Sequence, residues 1–166
     1  TPIPGVLAVI DSLRKKEIKI GSTTGYTGEM IEIVAENAKN KGYAPDVIAT
    51  SDLVKEGRPS PWMCYYVAMK LGIYPMNHLM KVGDTTIDML EGRNAGMWTV
   101  GVILGSSTLG LTEEEVNSMD AALLEQKKEV ARKELYDAGA HYVIDSIKDL
   151  PQLIEKIEAN TETVYV

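Results

Sequence analysis

The chain has 166 residues, of which 45% are apolar, and a formal net charge of −7, enough length for one domain with a core. This acidic balance argues against nucleic acid or an anionic membrane as a general partner, because phosphate backbones reward basic surfaces; a local cationic pocket still admits a small anionic substrate. No apolar run approaches the roughly 20 residues of a membrane span, Thr1-Pro2-Ile3-Pro4-Gly5 has neither signal- nor transit-peptide character, and the lone Cys64 cannot form an internal disulfide, which implies a reducing, cytoplasmic setting.

In chain order, Val6, Leu7, Ile10 and Leu13 share one face of a helix that ends in Arg14-Lys15-Lys16. A strand over 18–22 stops in Thr23-Thr24-Gly25. Met30, Ile33, Val34 and Ala38 mark a helix closed by Gly42. Residues 46–50 read as a strand. Ser60-Pro61, an N-cap followed by a first-turn proline, opens a helix running to Gly72. A strand over 79–82 enters Gly83-Asp84-Thr85, followed by a helix from about 87 to 95 and a strand over 98–102. Thr112 and Glu115 match a capping box, and Asp120 caps a long helix running to about 137. A last strand (141–144) and helix (150–159) follow, and residues 160–166 are expected to fray. Strands alternating with helices imply an α/β fold: a Rossmann-like parallel sheet with helices on both faces.

In such a sheet ligands bind at the carboxyl ends of the strands, and three polar clusters fall there. Ser22-Thr23-Thr24-Gly25-Tyr26-Thr27 is a hydroxyl-rich turn whose free N–H and O–H groups suit a phosphoryl group, although such a turn also serves as an ordinary helix cap. Gly57-Arg58-Pro59 places a guanidinium fork, suited to phosphate oxygens or simply to solvent, between a flexible and a rigid residue. Asp84 closes an apolar strand and Asp88 follows on the same face of the next helical turn. That pair suits a hard cation such as Mg²⁺, or else Asp84 is an N-cap and Asp88 favours the helix dipole.

A hydroxyl, then a cation, then a strand-end acid pair is also the motif order of the haloacid dehalogenase superfamily. Ile20-Gly-Ser-Thr-Thr-Gly-Tyr-Thr27, Gly57-Arg-Pro-Ser-Pro-Trp-Met-Cys-Tyr65, Pro75-Met-Asn-His78, Lys81-Val-Gly-Asp-Thr85 and the stretch from Glu91 to Ser106 resemble its phosphonatase (phosphonoacetaldehyde hydrolase) family in particular. Arg58, where generic members usually carry lysine, favours that narrower family.

The resemblance covers nearly the whole chain, so residues 1–166 are expected to form a partial haloacid dehalogenase-like core domain. It implies cleavage of a carbon–phosphorus bond through a Schiff base and an aspartyl-phosphate, with Mg²⁺ as cofactor, a phosphonate as substrate and a homodimer as the assembly. Thr24 and the Gly25 backbone would bind phosphoryl oxygens, and Arg58 would neutralise the phosphonate and orient the nucleophile. Asp84 would ligate Mg²⁺, and Asp88 would position a metal-bound water and the Arg58 side. The family's nucleophile strand, central in its sheet, and its lysine-bearing cap precede the point matched by Thr1. The native protein is therefore expected to be longer, and this chain alone inactive. Two alternatives stand beside this reading: a phosphate-ester phosphatase of the same superfamily, phosphoglycolate-like, and a non-catalytic scaffold.

The remaining residues carry plainer expectations. Cys64 is read as a buried inert thiol, His78 and His141 as structural, and Met63, Met69, Met76, Met80, Met89 and Met97 as core with a share in a dimer interface. Glu113 to Glu115 and Lys127-Lys128 are read as solvated helix faces.

Overall fold

The computed structural model of the protein describes residues 6–24, 45–104 and 109–160. Its elements run α1 (Val6–Lys15), β1 (Gly21–Thr24), β2 (Val47–Thr50), α2 (Trp62–Leu71), β3 (Met80–Gly83), α3 (Thr86–Ala95), β4 (Trp98–Val102), α4 (Glu113–Ser118), α5 (Ala121–Asp137), β5 (Tyr142–Ile144) and α6 (Leu150–Asn160). Short 3₁₀ turns occupy Ser51–Leu53, Met76–His78 and Ile147–Asp149. The alternation expected from the sequence is present. The helix marked by Met30 to Ala38 and Gly42 lies outside the described residues.

All described strand pairs are parallel, and they form two pieces: β1 beside β2, and β4 between β3 and β5. Strand alternation sends Met80, Val82, Val100 and Ile144 to one face, where α1 and α6 cover them with Val9, Leu13, Leu150, Leu153, Ile154 and Ile157. On the other face α2 packs on β1 and β2, and α3 and α5 pack on β3 to β5. Met89, Ile103, Ala131 and Leu135 build the core there. Close approach needs glycine at two strand positions. A Cβ on Gly21 would sit 2.4 Å from Val67, and one on Gly101 would sit 3.0 Å from Leu135.

Helix ends follow local chemistry. Thr85 caps α3 in a full capping box with Asp88, Thr112 does so for α4 with Glu115, and Asp120 accepts from Ala122 and Leu123 at the start of α5. Gly72 and Gly96 end α2 and α3 in the left-handed conformation that costs glycine nothing. Arg14, Asp46 and the Ile20 backbone tie the end of α1 to the starts of β1 and β2: Asp46 accepts from Ile20 N–H at 2.7 Å and pairs with Arg14 at 3.2 Å.

Several expectations need correction. Leu7 is exposed, and Val9, placed one turn before Leu13, replaces it on the buried face of α1. The first strand lies later than 18–22, so residues 22–24 belong to the end of that strand and not to a turn. Ser60 does not cap α2, whose N-cap position is Pro61 without a side-chain bond; the Ser60 hydroxyl donates to Glu56. Lys128 is buried and not on a solvated face. Its ammonium pairs with Asp145 at 2.8 Å and Glu125 at 3.1 Å, and Asp145 raises its pKa. Met63, Met89 and Met97 are core, whereas Met69 is 68% exposed. Cys64 and His141 take the structural roles expected. Burial foremost, with Glu91 adding, pushes the Cys64 thiol up to about 12. His141 Nδ1 accepts the Thr99 N–H at 3.0 Å.

Candidate active site

Parallel strands bring all their carboxyl ends to one side of the sheet. Ser22 and Thr23 near the end of β1, and Gly83 and Asp84 at the end of β3, therefore line one cavity, although no ladder joins β1 to β3 among the described residues. Between these two strands lies a cavity of about 540 Å³. Its inner wall is apolar, from Val9, Leu13, Val67, Leu79, Leu150 and Ile154, and its polar end carries Thr23, Arg58, Lys81, Asp84 and Asp88. A concave apolar site with a few convergent polar groups is the usual form of a small-molecule site.

Asp88 is the organising residue. One carboxylate oxygen, Oδ2, accepts from the backbone N–H groups of Asp84 and Thr85, both at 3.2 Å, and from the Thr85 hydroxyl at 2.9 Å. The other, Oδ1, forms a 2.8 Å ion pair with Arg58. Gly83 makes this cradle possible: a Cβ there would lie 2.4 Å from Asp88 Cβ and 2.7 Å from Oδ2. Burial alone would raise the pKa of Asp88, but Lys81, Thr85 and Arg58 outweigh it and hold the carboxyl below its ordinary range. The group is thus a fixed anion that keeps the guanidinium of Arg58 aimed at the cavity.

The sequence picked Arg58, Asp84 and Asp88, and the structure brings all three to the same end of one cavity. Thr24 ends β1 in register with Thr50; Gly25 lies outside the described residues. Sequence reasoning missed Lys81 and Glu91. Lys81 donates to Thr23 Oγ1 at 2.6 Å, lies 2.9 Å from Glu91 Oε1, and stands 3.8 Å from Asp88 Oδ1. The available signal was a lysine inside the otherwise apolar strand Met80-Lys81-Val82, on the same strand face as Gly83.

Asp84 and Asp88 form an all-oxygen pair, and Mg²⁺ characteristically keeps several waters and binds protein through one or two carboxylates. The residues fit such an ion asymmetrically. Asp84 lines the cavity and would meet it directly. Asp88, with both oxygens engaged by Arg58 and the helix N-terminus, would act from behind. Among the described residues no cluster of three or more His, Cys, Asp or Glu side chains is assembled, so water and substrate oxygens would complete the shell. No described helix is long and apolar enough to cross a membrane.

Comparison with known proteins identifies the family. Residues 1–102 match the family model described as haloacid dehalogenase-like hydrolase. The chain is 63% identical over 158 residues to a phosphonoacetaldehyde hydrolase of Bacillus cytotoxicus, and 61% identical to one of Bacillus cereus; each match covers 95% of this chain and 60% of the relative. A crystal structure of a phosphonoacetaldehyde hydrolase-like protein from Oleispira antarctica superposes with a TM-score of 0.90 at 37% identity, covering 95% of this chain and 57% of that one. The chain therefore spans about 60% of the length of the curated relatives it matches. With a family model matching residues 1–102, and Arg58, Asp84 and Asp88 gathered on one cavity, the chain belongs to the haloacid dehalogenase-like hydrolases.

Proposed function

We propose that, in a protein of its relatives' length, this chain supplies the phosphonate- and cation-binding side of a site that hydrolyses phosphonoacetaldehyde to acetaldehyde and phosphate. The observation that carries the reading is the Arg58–Asp88 pair, 2.8 Å apart on the cavity between β1 and β3, in a chain about 60% identical to proteins named for that activity.

The roles follow from charge and position. Arg58 binds phosphonate oxygens through its guanidinium fork, kept in place by Asp88. Thr24 and the Gly25 N–H hold the remaining phosphoryl oxygens. Asp84, with Asp88 behind it, holds Mg²⁺; when bound, that ion supplies positive charge that eases the approach of an anionic carboxylate to an anionic phosphonate. A lysine and an aspartate from other parts of the longer protein complete the chemistry. The amine condenses with the aldehyde and releases water. The carboxylate attacks phosphorus, the carbon–phosphorus electron pair passes into the enamine, and water then hydrolyses the aspartyl-phosphate and, after protonation, the imine. The working form is a homodimer in the cytoplasm.

Borohydride reduction in the presence of phosphonoacetaldehyde tests this reading on the full-length protein. Reductive trapping of one lysine, together with Mg²⁺-dependent phosphate release, is the expected result. Phosphate release from phosphoglycolate without trapping would replace it with an ester phosphatase. Phosphonate binding without turnover would replace it with a scaffold.

A further inference from the structure

Glu91 is wholly buried in α3, and neither of its carboxylate oxygens has a hydrogen bond; the 2.9 Å approach of Lys81 Nζ to Oε1 is an ion pair without hydrogen-bond angles. The Lys81 side chain is only 11% exposed. Burying two charges strips both of water, and their attraction often does no more than offset that loss, so stability alone is a poor reason for such a pair. The surroundings are nonetheless shaped for it. A Cβ on Gly92 would lie 2.9 Å from Lys81 Cβ and 3.0 Å from Cγ, so the missing side chain opens the channel along which the lysine stem runs.

The far end of that stem touches the site. Lys81 Nζ donates to Thr23 Oγ1 at 2.6 Å, next to the Thr24 position, and stands 3.8 Å from the Asp88 oxygen that holds Arg58.

We propose that Lys81 and Glu91 are a buried positioning pair: Glu91 anchors Lys81, and Lys81 holds the Thr23 hydroxyl and the Asp88–Arg58 unit in place beside the phosphoryl position. The pair acts on the site through Thr23 and Asp88, with Glu91 buried behind Lys81 and Lys81 on the cavity wall. The inference rests on the phosphonate reading above.

Replacing both charges by apolar residues separates positioning from stability, because a buried pair swapped for well-packed hydrophobic groups is commonly neutral in stability. In the full-length protein, the double variant Lys81→Met/Glu91→Met should keep its thermal midpoint within about 5 °C and lose about 10²-fold in kcat on phosphonoacetaldehyde, with KM within about threefold, as a misplaced catalytic geometry does. Should the double variant be insoluble, Lys81→Gln/Glu91→Gln, which keeps length and hydrogen bonding and leaves no lone buried charge, carries the same expectation, and Lys81→Arg should retain part of the activity. A folded variant with kcat within about threefold of the parent would overturn the proposal. If the parent itself turns over no phosphonoacetaldehyde, the substrate reading fails. The pair is then judged with orthovanadate, a mimic of the five-coordinate phosphoryl transition state. Binding weakened about tenfold or more in the variant would uphold positioning, and unchanged affinity would refute it.

Discussion

Gly83→Ala is the smallest change that should disorganise the site. The new methyl would lie 2.4 Å from Asp88 Cβ, 2.6 Å from Cγ and 2.7 Å from Oδ2, against backbone and side chain that have little room to retreat. For an ordinary contact Asp88 must move by about 1 Å, given carbon–carbon optima of about 3.5–4.0 Å. That shift loosens three bonds to Oδ2, at 3.2, 3.2 and 2.9 Å, and the 2.8 Å pair with Arg58. At about 1 kcal/mol net for each bond, with partial recovery on relaxation, the cost is about 3 kcal/mol, which falls within the range for overpacking. A midpoint shift of about 2–4 °C per kcal/mol for a chain of this size gives a fall of about 6–12 °C. Differential scanning fluorimetry of the protein and the variant measures it. The control is Gly57→Ala, whose added methyl meets only Ser51 Cβ at 3.3 Å and should cost less than about 1 kcal/mol. A Gly83→Ala protein that melts with the parent would refute the claim that Gly83 exists to admit the Asp88 carboxylate.

Other predictions follow from the same geometry. Arg58→Ala should lower kcat/KM for phosphonoacetaldehyde by about 10²-fold or more, and Arg58→Lys, which keeps charge without the fork, should recover only part of it; steady-state phosphate release reads both. Stability should fall with acid in two stages. The His141 pKa is lowered by burial and Arg93, so its contribution is present above about pH 6.5 and is lost as pH falls through the folded value. Asp46, Asp88 and Asp145 are also depressed, the first chiefly by the Ile20 N–H and the other two by cationic neighbours that outweigh burial. Their contributions are present above about pH 4 and are lost as pH falls through their folded values. Thermal midpoints that stay constant from pH 7 to pH 3 would contradict this. Cys64, 2% exposed and with its thiol pushed up to about 12, should react with iodoacetamide at pH 8 about 10²-fold more slowly in the folded protein than in urea; equal rates would contradict its burial.

Much of this was legible in the sequence because the signals are local. Strand–helix alternation gives the α/β class, and the Thr85, Thr112 and Asp120 caps are short-range chemistry that tertiary packing leaves intact. Arg58, Asp84 and Asp88 were legible only together: each has an ordinary structural reading, and their order after the hydroxyl cluster, with the flanking motifs, is what resembled the family. Lys81 and Glu91 were not, since a lysine in a strand and a glutamate in a helix look like solvated positions. Only the packing of α3 on β3, through the gap left by Gly92, takes both out of water. Lys128 was misread for the same reason: Asp145, seventeen positions later, draws its ammonium inward. The Ser60-Pro61 pair shows the reverse case, a start signal displaced because the serine hydroxyl turns back to Glu56.

The most direct test of the functional account is phosphate release from phosphonoacetaldehyde by a protein of its relatives' length that contains this chain, with and without Mg²⁺, beside its Asp84→Asn variant. The account predicts Mg²⁺-dependent release that the variant loses by about 10²-fold or more. Release that ignores both Mg²⁺ and the substitution, or no release by the parent, would contradict it.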